Sequence, residues 1–349
     1  MLNRRLFVAS LSLGMLVFSS AWAEPLNQRF AGLYDAAKPE KEVVFYNTFR
    51  QDTNRKLINY WNQNFPDITL KIVQKQSLDL IPVVESEKAA GKSQADAVMI
   101  NEVFVANEWK KKGWFTPYKV SNYDQYPAQY RDPDGAWYIT DVSLLTAAYN
   151  TRAFPDKSQL PKNLVGFTDA KWKGKMLLGD PKVAASNQAF FLALLNNGKL
   201  NWDTLGALSH QDILFTRGNA DSARLIATGE RILSPMVSSQ NVITAREKGQ
   251  PIDFYVLDEG AILVTQPVGL FAHSPHPNAG KLLMELLASK EGQELVAAAG
   301  AYWPTLPDAN APEHLPKLST LNPESGDVEI GGAVSKDFLA RFSKTFNRY

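Results

Sequence analysis

The sequence predicts an α/β protein of two lobes with a cleft between them, each lobe a mixed sheet flanked by helices. Between residues 42 and 112, short β-branched apolar runs alternate with stretches whose apolar residues recur every three or four positions. That alternation is typical of strands followed by helices in a largely parallel sheet. A second α/β pattern begins near residue 164, and an extended segment over 137–149 joins the two halves. Two such halves joined by extended segments indicate two lobes.

The first half of the chain supplies three strand–helix pairs. We expect strands over 42–46, 67–73 and 95–100, and helices over 52–65, 78–91 and 103–112. Leu57, Trp61 and Phe65 have the spacing of one apolar helix face. Lysines in the last turn and a glycine at position 113 are typical of the C-terminus of the third helix.

The second half contains fewer clear elements. We expect a strand over 175–178, helices over 189–195 and 220–228, and strands over 262–264 and 268–272 separated by a polar step of three residues. A single long helix over 277–299 follows and ends at Gly300. Because ligands in open α/β sheets bind beyond the carboxyl ends of strands, the loops after these strands are the first candidates for a site.

Residues 1–23 have the three parts of a cleaved signal peptide. Arg4 and Arg5 form the basic region, an apolar stretch follows over 6–18, and Ala21 and Ala23 stand where a signal peptidase needs small residues. Removal of these residues leaves 326 of 349 and changes the formal charge from +1 to −1, because the leader holds two arginines and no acidic residue. The chain has no cysteine, which excludes disulfides and lipid attachment. We therefore expect an exported protein of the periplasm.

Composition and motifs exclude several classes of function. A balanced charge argues against a general binder of nucleic acid or anionic membranes, and no later stretch is long enough to span or insert into a bilayer. The sequence lacks a G-x-S-x-G elbow, an H-E-x-x-H motif and a G-x-x-x-x-G-K-[ST] loop, and it has only four histidines. We expect no enzymatic activity, no cofactor and no metal site.

A resemblance to a known family rests on six segments that occur in the family's order. They are residues 43–47, 95–98, 131–137 with 149–151, 167–175, 245–249, and 276–281 leading into 289–294. Together they resemble periplasmic solute-binding proteins of ATP-driven (ABC) importers, in the branch that includes the ferric-iron-binding proteins. The resemblance implies the type II periplasmic-binding-protein fold, with two lobes hinged around a central cleft that closes on the ligand.

The chain departs from that branch at the positions that would hold iron. Alignment on residues 245–249 places Ser239 and Gln240 where ferric-binding members have a pair of tyrosines, and Arg50 where a histidine often helps. A serine hydroxyl, an amide and a guanidinium are poor ligands for Fe(III), whereas an arginine can form two parallel hydrogen bonds with a carboxylate or phosphate. The departures therefore favour a small organic anion.

Candidate ligand residues in the first lobe follow its three strands. They are Tyr46 at the end of the first strand with Asn47 and Arg50 after it, Ser77 after the second strand, and Asn101 and Glu102 after the third. Arg50 either faces the cleft or is a surface arginine. Ser77 either binds an anion at a helix N-terminus or only caps that helix. Glu102 either receives an ammonium or hydroxyl group or caps the helix that follows.

Candidates in the second lobe come from three segments. Ser186 and Asn187 stand just before a predicted helix, Ser238, Ser239 and Gln240 match the metal-binding segment of relatives, and Asp258 lies in an acidic turn. The first two either cap their helix or also contact the ligand. Asp258 either binds a cationic group or forms a polar turn. Tyr302 either stacks on a ligand or packs in the core.

These observations predict the substrate-binding component of an ABC importer that delivers a small organic phosphate, phosphonate or carboxylate to a membrane permease. We expect a monomer with lobe 1 over 24–147 plus about 266–312 and lobe 2 over 148–265 plus about 313–349. The alternatives are a binder of ferric or chelated iron with atypical ligands, a binder of polyamines or cations through Glu102, Asp258 and Glu259, and a periplasmic sensor for a signalling receptor.

Overall fold

The structure, a computed structural model, describes residues 25–328 and 332–347. The predicted signal peptide lies outside the described residues. The strands are β1 Glu42–Asn47, β2 Thr69–Gln74, β3 Ala97–Met99, β4 Tyr138–Asn150, β5 Leu177–Gly179, β6 Leu214–Thr216, β7 Leu233–Ser238, β8 Ile252–Tyr255, β9 Ala261–Leu270, β10 Trp303–Pro304 and β11 Pro323–Glu324.

Helices cover both faces of the strands. They are α1 Leu26–Arg29, α2 Ala31–Ala37, α3 Gln51–Asn64, α4 Ser77–Ala89, α5 Val103–Lys111, α6 Ala185–Asn196, α7 Trp202–Ser209, α8 Asn219–Thr228, α9 Ser239–Glu247, α10 Pro277–Ala288, α11 Lys290–Gly300 and α12 Gly332–Thr345. The mixture of parallel strands and covering helices confirms the predicted α/β class.

The first lobe is built on β1, β2 and β3, which run parallel with β1 in the middle. The order arises because each strand is followed by a helix (α3, α4 and α5) that returns the chain to the start of the next strand. Buried Phe45, Leu57 and Trp61 pack with α10 residues on one side of this sheet. All three parallel strands therefore end at the same edge, where the loops after them meet.

Two long strands, β4 and β9, run antiparallel to each other through both lobes. The beginning of β4 pairs with β10 and its end with β7 and β8, while the end of β9 pairs with β3. Their pairing is interrupted between Ile139 and Val142 by a β-bulge. Because a bulge bends a strand and redirects its side chains, this point sets which residues of β4 face the cleft.

The second lobe is formed by the end of β4 with β7, β8 and the parallel pair β5–β6, covered by α6, α8 and α9. Aromatic side chains of α12 close its core from outside, with Phe338 and Phe342 packed against Phe191. The predicted lobe boundaries at 147 and about 265 fall within β4 and β9. They stay predictions.

Two element predictions were wrong. The expected single helix over 277–299 is two helices, because Ser289 has an extended backbone and its hydroxyl accepts a 3.0 Å hydrogen bond from the Gly292 amide, which caps α11. The expected polar break between two strands at 265–267 is part of the continuous strand β9, since Thr265 and Pro267 both pair with β4. The sequence also gave no prediction for β7 and α9, which meet at Ser238.

Candidate functional site

The loops at the carboxyl edge of the first lobe are joined by a hydrogen-bonded triad. The Thr48 hydroxyl, after β1, donates to the Asn101 side-chain oxygen, after β3, at 2.9 Å. The Gln266 amide on β9 donates to that hydroxyl at 3.2 Å and to the same Asn101 oxygen at 3.3 Å. The triad fixes three chain segments at the point where β9 passes between the lobes.

Arg50 reaches across the cleft from the first lobe to the second. It occupies the position before α3, and its Nη1 donates a 2.9 Å hydrogen bond to the Thr244 hydroxyl on α9. The loop that presents it is shaped by buried Asn47, whose side chain exchanges hydrogen bonds with Asn54 and accepts one from the Phe49 amide. Arg50 therefore belongs to the first lobe by its backbone and contacts the second lobe through its guanidinium group.

Asp141 is fully buried at the bulge of β4, opposite Pro304 of β10. Its Oδ2 accepts a 3.0 Å hydrogen bond from the Thr140 hydroxyl, while Oδ1 has no partner among the described residues. Burial raises the pKa of Asp141 from 3.8 to about 8, because a carboxylate loses its hydration there and gains only one hydroxyl donor.

Tyr302 lies beside Asp141 because Ala301, in the left-handed conformation, ends α11 and turns the chain into β10. The Tyr302 ring packs directly on Gly300, where a Cβ would stand 2.2 Å from Cε2 of the ring and 3.0 Å from the Thr53 hydroxyl. Burial raises the pKa of Tyr302, and the nearby Asp141 adds to this effect, whereas Arg50 opposes it. The Tyr302 hydroxyl therefore lies near both Asp141 and Arg50.

Five buried polar atoms near Tyr302 have no hydrogen bond of good geometry, out of twelve such side-chain atoms in the part of the chain that the structure describes, although the Gln240 and Gln266 side chains both interact with the Tyr302 hydroxyl. They are Arg50 Nε, Thr53 Oγ1, Asp141 Oδ1, Gln240 Nε2 and Gln266 Oε1. We call these five residues and Tyr302 the interlobe cluster. Each unpaired buried group costs about 1–3 kcal/mol, so a concentration of them in one place indicates a site built for a polar ligand.

A narrow opening, the front cleft, lies next to this cluster. It is lined by Asn101 and Glu102 from the first lobe, by Ser186 from the second, and by Asp327, whose carboxylate accepts a backbone hydrogen bond from Phe104. Its volume of about 20 Å³ admits about one water molecule. Since Asn101 belongs to both the front cleft and the Thr48–Gln266 triad, the two features are continuous.

Glu102 is the buried acid of the front cleft. Burial raises its pKa from 4.5 to about 7, against hydrogen bonds from the Ser77 hydroxyl and the Asn101 amide. The Asn101 amide also donates to the Ser77 oxygen at 3.0 Å. The Ser77 hydroxyl therefore links the start of α4 to the loop after β3, through hydrogen bonds with both Asn101 and Glu102.

Three predicted residues of the second lobe are engaged in the fold. The Asn187 side chain donates to the Asp180 carbonyl and accepts from Asn219, and it lies in the first turn of α6 rather than before it. The Ser239 hydroxyl accepts a 3.1 Å hydrogen bond from the Leu144 amide. The Ser238 amide donates to the side-chain oxygen of Asn219 at 2.9 Å. These contacts position the loop that carries Gln240.

Two other predicted residues lie apart from the cluster. The Tyr46 hydroxyl donates to Glu87 on α4 at 2.9 Å, so this side chain points away from the loop after β1. Asp258 is exposed in the turn before β9, where its nearest side-chain partner is Asn163 at 3.4 Å. That turn precedes the first residue of β9, whereas Gln266 lies in the middle of the strand.

The sequence analysis identified Arg50 and Gln240 but missed Thr53, Asp141 and Gln266. One signal was available for Asp141: it is the only charged residue within the otherwise apolar and hydroxyl-bearing run 137–149. An ionisable side chain buried in such a run must be paired with an opposite charge, be held in its neutral form or have a functional role. Thr53 and Gln266 gave no comparable signal, because their position depends on contacts between distant segments.

No group of three or more histidine, aspartate or glutamate side chains that could hold a metal ion occurs within residues 25–328 and 332–347. Over the same residues, no helix combines the length and apolar character that a bilayer crossing requires.

Several known proteins are similar to this chain. The Fe(3+)-binding periplasmic protein of Serratia marcescens is 23% identical over 276 residues, which cover 76% of this chain and 79% of that protein. The fructose-6-phosphate-bound periplasmic binding protein AfuA of Actinobacillus pleuropneumoniae has a TM-score of 0.72 at 20% identity, with 88% and 98% of the two chains covered. Iron-bound HitA of Pseudomonas aeruginosa has a TM-score of 0.71 at 18% identity, with 88% and 97% covered. These similarities confirm the predicted periplasmic-binding-protein fold.

Residues 56–322, most of the chain, match the family of bacterial extracellular solute-binding proteins. The match confirms the resemblance found in the sequence, and with it the prediction that the protein is not an enzyme. The chain therefore belongs to the bacterial extracellular solute-binding proteins, and it is a solute-binding component of ABC import.

Proposed function

We propose that this protein captures a small polar organic anion in the periplasm and delivers it to the membrane permease of an ABC importer. The observation that carries the proposal is the interlobe cluster, in which Arg50 of the first lobe and Gln240 of the second hold unpaired buried donors. A phosphate, phosphonate or carboxylate group would accept hydrogen bonds from both.

Charge favours an anion at this position. Arg50 has a buried unpaired Nε and only a neutral hydroxyl, Thr244, as the partner of its Nη1. A guanidinium so placed gains most from an anionic oxygen, because a hydrogen bond to a charged group contributes about 1.5–3 kcal/mol and a neutral one about half as much. The nearest acid of the cluster, Asp141, has a pKa raised to about 8 and so does not neutralise Arg50 fully at pH 7.

Entry of the ligand requires the lobes to separate. The unpaired atoms of the interlobe cluster are buried, and the front cleft admits only about one water molecule. The solute would bind the open form through one lobe, and contacts from the other lobe would then favour closure. Such a population shift needs tighter binding to the closed form than to the open one. A permease would recognise the closed surface of the monomer.

A thermal-shift screen tests the proposal. Purified, ligand-stripped protein is mixed with organic phosphates, phosphonates, carboxylates, polyamines and ferric salt. Saturation at about 100 times the dissociation constant adds about 2.7 kcal/mol of stability, which raises the melting temperature by a few degrees. We expect a shift with one class of anion. A shift with ferric salt or polyamines alone would overturn the proposal, and the absence of any shift would favour a sensor role.

Two arginine variants locate the anion. Arg50→Ala should weaken the anion found in the screen by about 10- to 150-fold, the equivalent of a charged hydrogen bond of about 1.5–3 kcal/mol. Arg55→Ala is the matched control, because Arg55 lies in the first turns of α3, the helix that Arg50 precedes, and is exposed and pairs only with Asp52 over the described chain. Calorimetric titration gives both dissociation constants. Equal affinities of the two variants would remove Arg50 from the site.

A further inference from the structure

The unpaired atoms of the interlobe cluster differ in what they can bind. Arg50 Nε and Gln240 Nε2 are hydrogen-bond donors, which an anionic group would satisfy, and the Thr53 hydroxyl can both donate and accept. The Gln266 oxygen only accepts hydrogen bonds, and so does the Asp141 carboxylate whenever it is ionised. An anion without a donor of its own would therefore leave the Gln266 oxygen, and the ionised Asp141 carboxylate, without partners.

The protein itself provides no cation for Asp141. Among the residues that the structure describes, no lysine, arginine or histidine nitrogen lies within 4.0 Å of its carboxylate, and its one hydrogen bond comes from the Thr140 hydroxyl. Both Asp141 and Gln266 are more than nine-tenths buried, with exposures of 0% and 4%. The other titratable group beside them is Tyr302.

The bulge between β4 and β9 places Asp141 near Gln266. Ile139 pairs with Pro267 and Val142 with Thr265, so Thr140 and Asp141 of β4 lie opposite Gln266 of β9, and Asp141 and Gln266 both act on Tyr302. The Gln266 amide nitrogen is already held by Thr48 and Asn101, which fixes the orientation of its oxygen. A preorganised pair of acceptors results.

We propose that Asp141, with Gln266, selects solutes that carry a hydrogen-bond donor, a hydroxyl or an amine, in addition to the anionic group that Arg50 binds. The inference rests on the proposed function, which it narrows from organic anions to hydroxylated or aminated ones. A solute without the donor leaves a buried acceptor unpaired, which corresponds to a loss of about 5- to 150-fold in affinity.

Isosteric ligand sets test the inference. One set is 2-hydroxyethyl phosphate, 2-aminoethyl phosphate and propyl phosphate, and the other is malate, aspartate and methylsuccinate. Within each set a hydroxyl, an ammonium and a methyl group occupy the same position, so only the donor changes. Dissociation constants are measured by calorimetry for the native protein. We expect the hydroxyl or the ammonium member to bind at least about fivefold tighter than the methyl member.

Variants of Asp141 assign the preference to its carboxyl group. Asp141→Leu has no acceptor and should abolish the preference for a donor. Asp141→Asn keeps an acceptor without the charge, so it should reduce a preference for ammonium far more than one for hydroxyl. Asp308→Asn, at an exposed aspartate, is the control and should change neither. Circular dichroism establishes whether each variant is folded. If Asp141→Leu does not fold, the comparison of Asp141→Asn with the native protein is sufficient for the test.

The outcomes separate this inference from the function on which it rests. If the methyl members bind as tightly as the others, or if the preference persists without the Asp141 carboxyl, the inference is wrong while anion capture stands. If no member of either set binds while an anion without a hydroxyl or amine binds in the screen, the inference alone is wrong. If no anion binds in either experiment, both the inference and the proposed function are contradicted.

Discussion

We expect the free energy of unfolding of the unliganded protein to depend on pH, and Asp141→Asn should remove most of that dependence. The pKa of Asp141 is about 8 in the folded protein and 3.8 in its ordinary state. The folded protein therefore binds more protons than the unfolded chain between these values. The free energy of unfolding must fall as the pH rises from about 4 to about 8 and stay level above that range.

The size of the effect follows from the burial of the carboxyl group. Each unit of pKa corresponds to about 1.4 kcal/mol, so the difference between 3.8 and about 8 gives a loss on the order of 5 kcal/mol, which is an upper figure. Glu102 adds a loss of the same sign between about pH 4.5 and pH 7. Asp141→Asn keeps the size of the side chain and cannot ionise, so the Asp141 part should disappear while the parts of other buried acids, Glu102 and Asp327, remain.

Urea unfolding of the stripped protein at pH 5, 6, 7 and 8 measures this dependence. We expect the native protein to lose stability across the series, Asp141→Asn to lose much less, and the two to converge toward pH 4. Asp308→Asn, which replaces an exposed aspartate, should follow the native protein. Parallel curves for the native protein and Asp141→Asn would refute the conclusion that Asp141 is buried without a compensating partner.

Two further substitutions test the framework around the site. Gly300→Ala should destabilise the protein by about 1–3 kcal/mol, because the added Cβ would stand 2.2 Å from the Tyr302 ring. The control is Gly206→Ala in helix α7, where an added Cβ would have no atom within 4 Å. This substitution should be neutral or stabilising by up to about 1 kcal/mol. Thermal unfolding of both measures the difference, and equal effects would contradict the close packing of Tyr302. Ser289→Ala should cost about 0.5–2 kcal/mol, since it removes the cap of α11, and an unchanged melting temperature would mean that α10 and α11 do not need that cap.

The sequence was sufficient for features that depend on local patterns. Alternating apolar runs predicted β1, β2 and β3 with their helices, and the rule that ligands bind beyond strand ends led to Arg50 and Asn101. Arg50 and Asn101 lie within a few positions of a strand end, so short-range information was enough to find them. Gln240 was found in another way, through the resemblance of residues 245–249 to the ferric-binding branch of the family, since the strand before it was not predicted.

Features that depend on long-range pairing were not predictable in this way. Asp141 faces the cluster because of a bulge in the pairing of β4 with β9, whose partners are more than 100 positions apart in the sequence. Gln266 was assigned to a polar step for the same reason. Asn187 and Tyr46 have the residue types of a ligand site, yet Asp180 and Glu87 already use their polar groups. Sequence spacing carries no information about such partners.

A titration of Arg50→Ala and Gln240→Ala with the anion found in the screen tests most directly whether a solute is held between the lobes. The two residues contribute unpaired donors from opposite lobes, and both act on Tyr302. Capture between the lobes predicts that both variants bind more weakly than the native protein, Arg50→Ala by about tenfold or more and Gln240→Ala by about threefold or more. Native affinity in either variant would contradict a ligand that bridges the interlobe cluster.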